Sequence, residues 1–257
     1  MNMEEKELGQ LLLTRNDKKI YANGDIITKV FDHNAYKASG VLKEAMNQAY
    51  AIELGLPSPK LVSVFKVGED YAISSEYIKG KTMRQLMEEE PKNKKKYVQL
   101  LVHIQLELLS ILTSNLKLPK LKDKLNSYIS NSGLDGTTRF ELHARLEKMP
   151  NHYKLCHGDI CPENIVIMDN GDYYILDWAH TTRGNASADA AMTYLLILLE
   201  GDEEGANMYL KEFCKKSSIE MSYVYQWISV VSATKLAVVK DEEKRAILLR
   251  NINVVEY

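Results

Sequence analysis

The chain lacks four things, and each absence removes a class of function. No long hydrophobic run is present: the longest purely apolar stretch, Tyr194–Leu199, is far short of the roughly 20 residues that a membrane span requires, so no transmembrane helix is expected. Cysteine is scarce. Three residues cannot all pair with one another, which argues against a disulfide framework and fits a reducing cytoplasm. The opening MNMEEKELGQ is charged and lacks the apolar centre of a secretory signal. Charge of one sign is also missing: 33 basic against 35 acidic residues leave a net of −2, too little positive field to expect nucleic acid as a partner.

What remains is an ordinary composition, 45% hydrophobic and 26% charged over 257 residues, ample for a buried core. From Leu8 to Tyr77 short β-rich runs alternate with turns: LLLT, IYANGD with an Asn23-Gly24 turn signal, IITKVF, then LVSVF and YAISSEY. One helix interrupts them. Val41, Leu42, Ala45, Ala49 and Ile52 recur at helical spacing from about Ala38 to Leu54, before Gly55, Pro57 and Pro59. Beyond Gly80 helical patterns dominate, at Tyr97–Leu112, Phe140–Lys148, Ser187–Leu199, Gly205–Lys215 and Met221–Val239, and the basic run Lys92–Lys96 reads as a solvated helix start. The exception is Leu155–Trp178. The expected architecture is α+β: a small antiparallel β lobe with one helix, residues 1–80, and a larger, mainly helical lobe, residues 81–257, carrying one inserted hairpin.

That hairpin carries the chemistry. In CHGDICPENIVIMDNGDYYILDW, the runs IVIM and YYIL flank Asn170-Gly171, a signal for a two-residue type I′ turn. Such a turn sets Asn164 directly opposite Asp177, with Cβ atoms about 5 Å apart. An amide oxygen and a carboxylate together suit Mg²⁺. Asp159 lies in the tight loop that feeds the same end, held by Pro162, and is the candidate base: phosphoryl transfer needs a hard metal on the phosphates and a free carboxylate to accept the hydroxyl proton. Singly, these residues read as turn-formers and a strand end. The ordered string His-x-Asp-x4-Asn, hairpin, Asp is far more specific.

The segments His157-Gly158-Asp159-Ile160-Cys161-Pro162-Glu163-Asn164 and Ile175-Leu176-Asp177-Trp178 resemble the aminoglycoside phosphotransferase and choline kinase superfamily, and WAHTTRGNASADAAMTY resembles a bacterial branch of it. The resemblance implies a two-lobed protein-kinase-like fold, with ATP and Mg²⁺ as cofactors and a small-molecule acceptor. It implies that Lys29 holds the α/β-phosphates and Glu44 orients it. It further implies that the Glu76 carbonyl and Ile78 amide, in SSEYIKGKT, bind the adenine edge. His157 and Asp189 are structural in that family, Asp189 bracing the catalytic loop through its backbone amides. One part departs. Where kinases have a glycine-rich loop the chain has Thr14-Arg15-Asn16-Asp17-Lys18-Lys19 with no glycine, leaving Lys18 or Lys19 as an electrostatic substitute and a silent nucleotide-binding module as the alternative function.

Protein-kinase activity is disfavoured, because only eleven residues separate Asp177 from Asp189, with no room for a long activation loop. The acceptor stays open. Aminoglycosides call for an acidic pocket, for which the acidic runs are Glu88–Glu90, Asp202–Glu204 and Asp241–Glu243; choline calls for an aromatic box, for which the residues are Trp178 and the Tyr223/Trp227 pair.

Overall fold

The computed structural model describes residues 2–3, 7–15 and 17–253. Its first strands are β1 (Asn2–Met3), β2 (Gln10–Arg15), β3 (Lys18–Asn23) and β4 (Ile26–Phe31), followed by helix α1 (Ala38–Glu53), β5 (Leu61–Val67), β6 (Asp70–Glu76) and β7 (Lys81–Thr82). Helices α2 (Met83–Glu89), α3 (Lys94–Ser110), α4 (Leu121–Ser130) and α5 (Gly136–Lys148) come next, then β8 (Lys154–Cys156), β9 (Ile165–Ile167), β10 (Tyr173–Ile175) and β11 (Thr182–Gly184), and finally α6 (Ala186–Leu199), α7 (Glu203–Ser217), α8 (Met221–Leu236) and α9 (Glu242–Asn253). None of these helices is long and apolar enough to cross a membrane.

The chain forms two compact units, each discontinuous in sequence: Met1–Leu86 with Glu163–His180, and Met87–Pro162 with Thr181–Tyr257. The hairpin β9–β10, which a single division near Gly80 puts in the second lobe, is therefore part of the first.

In the first unit a six-stranded sheet runs in the order β1-β5-β6-β4-β3-β2. Strand period 2 divides its residues between two faces. Tyr21, Val30, Val67 and Ala72 are buried with Leu8 in one cluster; Phe31 and Ile73 are buried against Val41 and Ala45 of α1 in another. Lys29 alternates with Val30 and so shares the α1 face with Phe31. Helix α1 ends as its Gly-Leu-Pro predicts: Gly55 takes φ +73°, its amide bonds Ile52 O and the Leu56 amide bonds Ala51 O, the paired bonds of a Schellman motif.

A second, three-stranded sheet, β10-β9-β7, ties the segment after β6 to the hairpin. Gly80 makes this possible, since a Cβ there would lie 2.5 Å from Ile167 O and 2.9 Å from Val166 Cγ1.

The second unit is helical around Leu101, Leu108, Ile129, Leu146, Tyr209, Phe213 and Trp227, all essentially inaccessible. Strands β8 and β11 pair antiparallel on it. Three of its helices start on side-chain caps: Asn185 accepts from the Ser187 amide at α6, Asp202 from Gly205 at α7, and Asp135 from Thr138 at α5. Lys94, in the run expected to be solvated, is instead mostly covered, with its Nζ 2.6 Å from Asp202 Oδ1 and 3.3 Å from Glu204 Oε2.

Candidate active site

In the first unit, antiparallel register determines which cations meet. Lys18 pairs with Phe31 and Ile20 with Lys29, so Lys18 and Lys29 project from one face of the sheet and Lys19 from the other. Glu44 is buried on α1 and meets both: Lys29 Nζ is 2.9 Å from Glu44 Oε1, and Lys18 Nζ is 3.7 Å from Glu44 Oε2. Asp177 joins them, its Oδ2 lying 3.7 Å from Lys29 Nζ and 4.0 Å from Lys18 Nζ. Two cations and two anions thus form one cluster. Lys18 also stands over the rings of Phe31 and Tyr36, at 5.0 and 5.3 Å.

Burial works to lower the pKa of Lys29, but the carboxylates of Asp177 and Glu44 outweigh it and hold the ammonium above its ordinary value. Lys29 is therefore a permanent cation. Of the glycine-free segment, Asp17 adopts a left-handed φ of 58° in the β2–β3 connection, and Asn16 lies outside the described residues. Of the two neighbouring lysines, Lys18 is the one on the face that meets Glu44 and Asp177.

The hairpin differs from the two-residue turn. Ile175 pairs with Ile165 and Tyr173 with Ile167. The Met168 amide donates to Asp172 O and the Gly171 amide to Met168 O, with Gly171 at φ +90°. Three residues, Asp169-Asn170-Gly171, form the loop, with glycine in the left-handed position that such loops use. The Asn170 side chain also accepts from the Asp172 amide, which holds the longer loop. This shifts the register by one, so Asn164 stands opposite Leu176, whose amide donates to Asn164 O at 2.8 Å. A direct Asn164–Asp177 rung is not formed. Asp177 instead leaves the ladder at φ 60°, a region that Asp and Asn enter far more readily than bulkier residues.

Two further contacts hold the hairpin, and neither was visible in the sequence pattern. Asn47, one turn beyond Glu44 on α1, is buried and donates to Trp178 O at 2.9 Å. Arg84 of α2 bonds Glu163 at 2.6 Å. A single face of α1 therefore orients Lys29 and anchors the backbone just after Asp177. Glu76 closes the β4–β6 ladder opposite Ile26, the Tyr77 amide is taken by Asp25 O, and Ile78 is buried in the irregular run that follows.

Asp159 belongs to the second unit. Its loop leaves β8 through His157, fully buried, and Gly158, whose φ of +78° explains glycine at this position. The Asp159 amide donates to His157 Nδ1 at 3.3 Å. The Gly158 amide donates to Asp189 Oδ1 at 2.7 Å, and Gln105 Nε2 to Asp189 Oδ2 at 2.9 Å. Tyr209 Oη in turn donates to Gln105 Oε1. Asp189 is thus a buried brace on the loop. A third cation near a site carboxylate is Lys235 of α8, with Nζ 3.7 Å from Asp159 Oδ1. Trp227 is wholly buried, and Tyr223 Oη accepts from Asn185 Nδ2 at 2.8 Å.

Burial raises the Asp189 pKa above its ordinary 3.8, against the Gln105 and Gly158 hydrogen bonds that lower it. The native carboxyl holds its proton more tightly than the unfolded chain does, so its contribution to stability is greatest below 3.8 and declines as pH rises above that value. In a thermal-melt series the wild type should lose ground to Asp189→Asn as pH rises through this range. A Tm difference that stays constant with pH would contradict it.

A β sheet bearing a Lys–Glu pair, a helical unit and an Asp-loop are parts of a kinase-like fold, and solved structures agree on that fold. The chain is similar to a crystal structure of an aminoglycoside-3′-phosphotransferase of type VIII (14% identity, 86% of this chain and 93% of that one, TM-score 0.66). It is also similar to a thermostable mutant of aminoglycoside phosphotransferase APH(4)-Ia in ternary complex with ADP and hygromycin B (14%, 94% and 90%, 0.70), and to the choline kinase LicA from Streptococcus pneumoniae (16%, 95% and 92%, 0.64). The sequence matches the Phosphotransferase enzyme family over residues 15–221, and the chain belongs to that family. No curated protein sequence matches it.

Proposed function

We propose that the protein is a small-molecule kinase that transfers the γ-phosphoryl group of ATP to an acceptor hydroxyl in the presence of Mg²⁺. The observation that carries this reading is the cluster of Lys29, Glu44 and Asp177, with Lys29 Nζ 2.9 Å from Glu44 and 3.7 Å from Asp177. Family membership and the nucleotide complexes among similar structures support it.

The donor set fits the implied cofactor. Asp177 and Asn164 offer a carboxylate and an amide oxygen, hard ligands of the kind Mg²⁺ takes. When bound, the ion neutralises phosphate charge and orients the transferring group. Lys29 binds the α/β-phosphates, and Glu44, nearly inaccessible, holds it in that position. Lys18 takes over the work of the missing glycine-loop amides, supplying a second cation from the same sheet face. The Glu76 carbonyl and Ile78 amide hold the adenine edge. Asp159 orients the acceptor hydroxyl and accepts its proton as the new O–P bond forms and the bond to the ADP leaving oxygen breaks. The residues 1–86 with 163–180 are the nucleotide-binding part, and the rest carries the base and the acceptor site.

An ADP-release assay across hydroxycarboxylates, homoserine, hexoses, ethanolamine, choline and aminoglycosides, with Mg²⁺ and with chelator, tests this. The expected result is ADP formation that requires both metal and one acceptor class. A silent module would show no ADP release on any acceptor, and the absence of a thermal shift with ATP and Mg²⁺ would remove nucleotide binding as well.

A further inference from the structure

We propose that Lys235 selects the acceptor, and that the acceptor is a small alcohol bearing a carboxylate or phosphate a few bonds from its reactive hydroxyl. This rests on the phosphotransfer reading and on Asp159 as its base. Lys235 occupies the last turn of α8, within the same unit as Asp159. Its Nζ lies 3.7 Å from Asp159 Oδ1, with both side chains only about a fifth exposed, 19% and 21%.

That separation is longer than a direct hydrogen bond. The ammonium is a compact point charge with three donors, and at this distance it can hold a ligand oxygen while Asp159 faces a hydroxyl of the same molecule. A short hydroxy acid or phosphorylated alcohol places its two groups at such a spacing. A polycation placed there would set an ammonium against Lys235, and in a partly desolvated site like charges repel strongly.

Several of the second unit's carboxylates that a polycation would need are already engaged. Of the acidic runs that could line a pocket for one, Asp202 is bound by the Gly205 amide and Lys94, and Glu204 by Lys94. Asp241 accepts from the Lys244 amide, and Glu90 from Asn93 and Tyr97. These carboxylates finish helix ends. The cavity bounded by Lys120, Lys122, His152, Arg183 and Trp227 contains no Asp or Glu in its lining. The Tyr223/Trp227 pair does not form an aromatic box, because Trp227 is wholly buried.

The test compares acceptor profiles of the wild type, Lys235→Met and Lys235→Arg, with kcat and KM measured separately. In the wild type, ADP release should be supported by short hydroxycarboxylates or phosphorylated alcohols in preference to neutral polyols, choline or aminoglycosides. Lys235→Met should raise KM for the anionic acceptor roughly ten- to a hundredfold, the range expected for losing a charged hydrogen bond, with a much smaller change in kcat. Lys235→Arg should recover most of that affinity. The proposal is overturned if the wild type uses none of the anionic acceptors, or if Lys235→Met leaves their KM unchanged. Turnover of a cationic or neutral acceptor that still depends on Asp159 would overturn the anionic class and leave phosphotransfer standing. Turnover indifferent to Asp159→Ala would bring down both.

Discussion

Replacing Asp159 with alanine is expected to lower acceptor-dependent ADP release on the order of 10²- to 10⁴-fold, the usual contribution of a positioned general base, while the thermal shift induced by ATP and Mg²⁺ persists. The separation follows from where the residue sits. Lys29, Glu44, Asn164 and Asp177 belong to the first compact unit and Asp159 to the second. Its loop is held by the Gly158–Asp189 bond and the buried His157, both of which remain when the proposed proton acceptor is truncated. Initial rates paired with nucleotide-induced Tm shifts measure both halves of the prediction. Wild-type turnover by Asp159→Ala would mean that the proton leaves by another route.

Asp177→Asn should produce the opposite pattern. Asparagine keeps the left-handed backbone that Asp177 adopts at φ 60°, so the change is electrostatic. The cluster of Lys18, Lys29, Glu44 and Asp177 is neutral with all four charges present; the variant leaves it with one net positive charge. Metal-free ATP should bind at least as well as before, since two lysines now face a single carboxylate. The stimulation by Mg²⁺ should disappear. Losing the several kcal/mol that a metal contributes to phosphoryl transfer corresponds to a rate lower by roughly 10³-fold. Titrating ATP by calorimetry with and without Mg²⁺ separates these effects, and a variant that retains its metal dependence would remove Asp177 from the ligand set.

The elements with strong period and clear boundaries are legible in the sequence. The strands at 10–15, 18–23 and 26–31, helix α1 and its glycine stop match their patterns within one or two residues. The hairpin register was not legible, because Asn-Gly serves both a two-residue turn and the last two positions of a three-residue loop; the Asp172 amide on Asn170 Oδ1 decides between them. Helix α4 has no start signal, since Lys120 provides no side-chain cap, although Leu121, Leu125 and Ile129 form its buried stripe. Helix α9 buries Leu248 and Ile252, one i,i+4 pair too short to stand out in a largely polar segment. The contacts Asn47–Trp178 and Arg84–Glu163 join positions 131 and 79 residues apart, and no local pattern encodes such a pairing. Lys18 was distinguishable from Lys19 only once pairing with Phe31 fixed the face on which each stands.

The discontinuity of the first unit bears on how the protein can be divided. A fragment ending at residue 86 would include Lys18, Lys29 and Glu44 but neither Asn164 nor Asp177. It would also leave β7 without β9, and Gly80 facing solvent where Ile167 should lie. Truncation therefore cannot isolate the first unit. Exchanging it between relatives requires moving residues 163–180 as well, grafted together as one inheritable piece of surface and core.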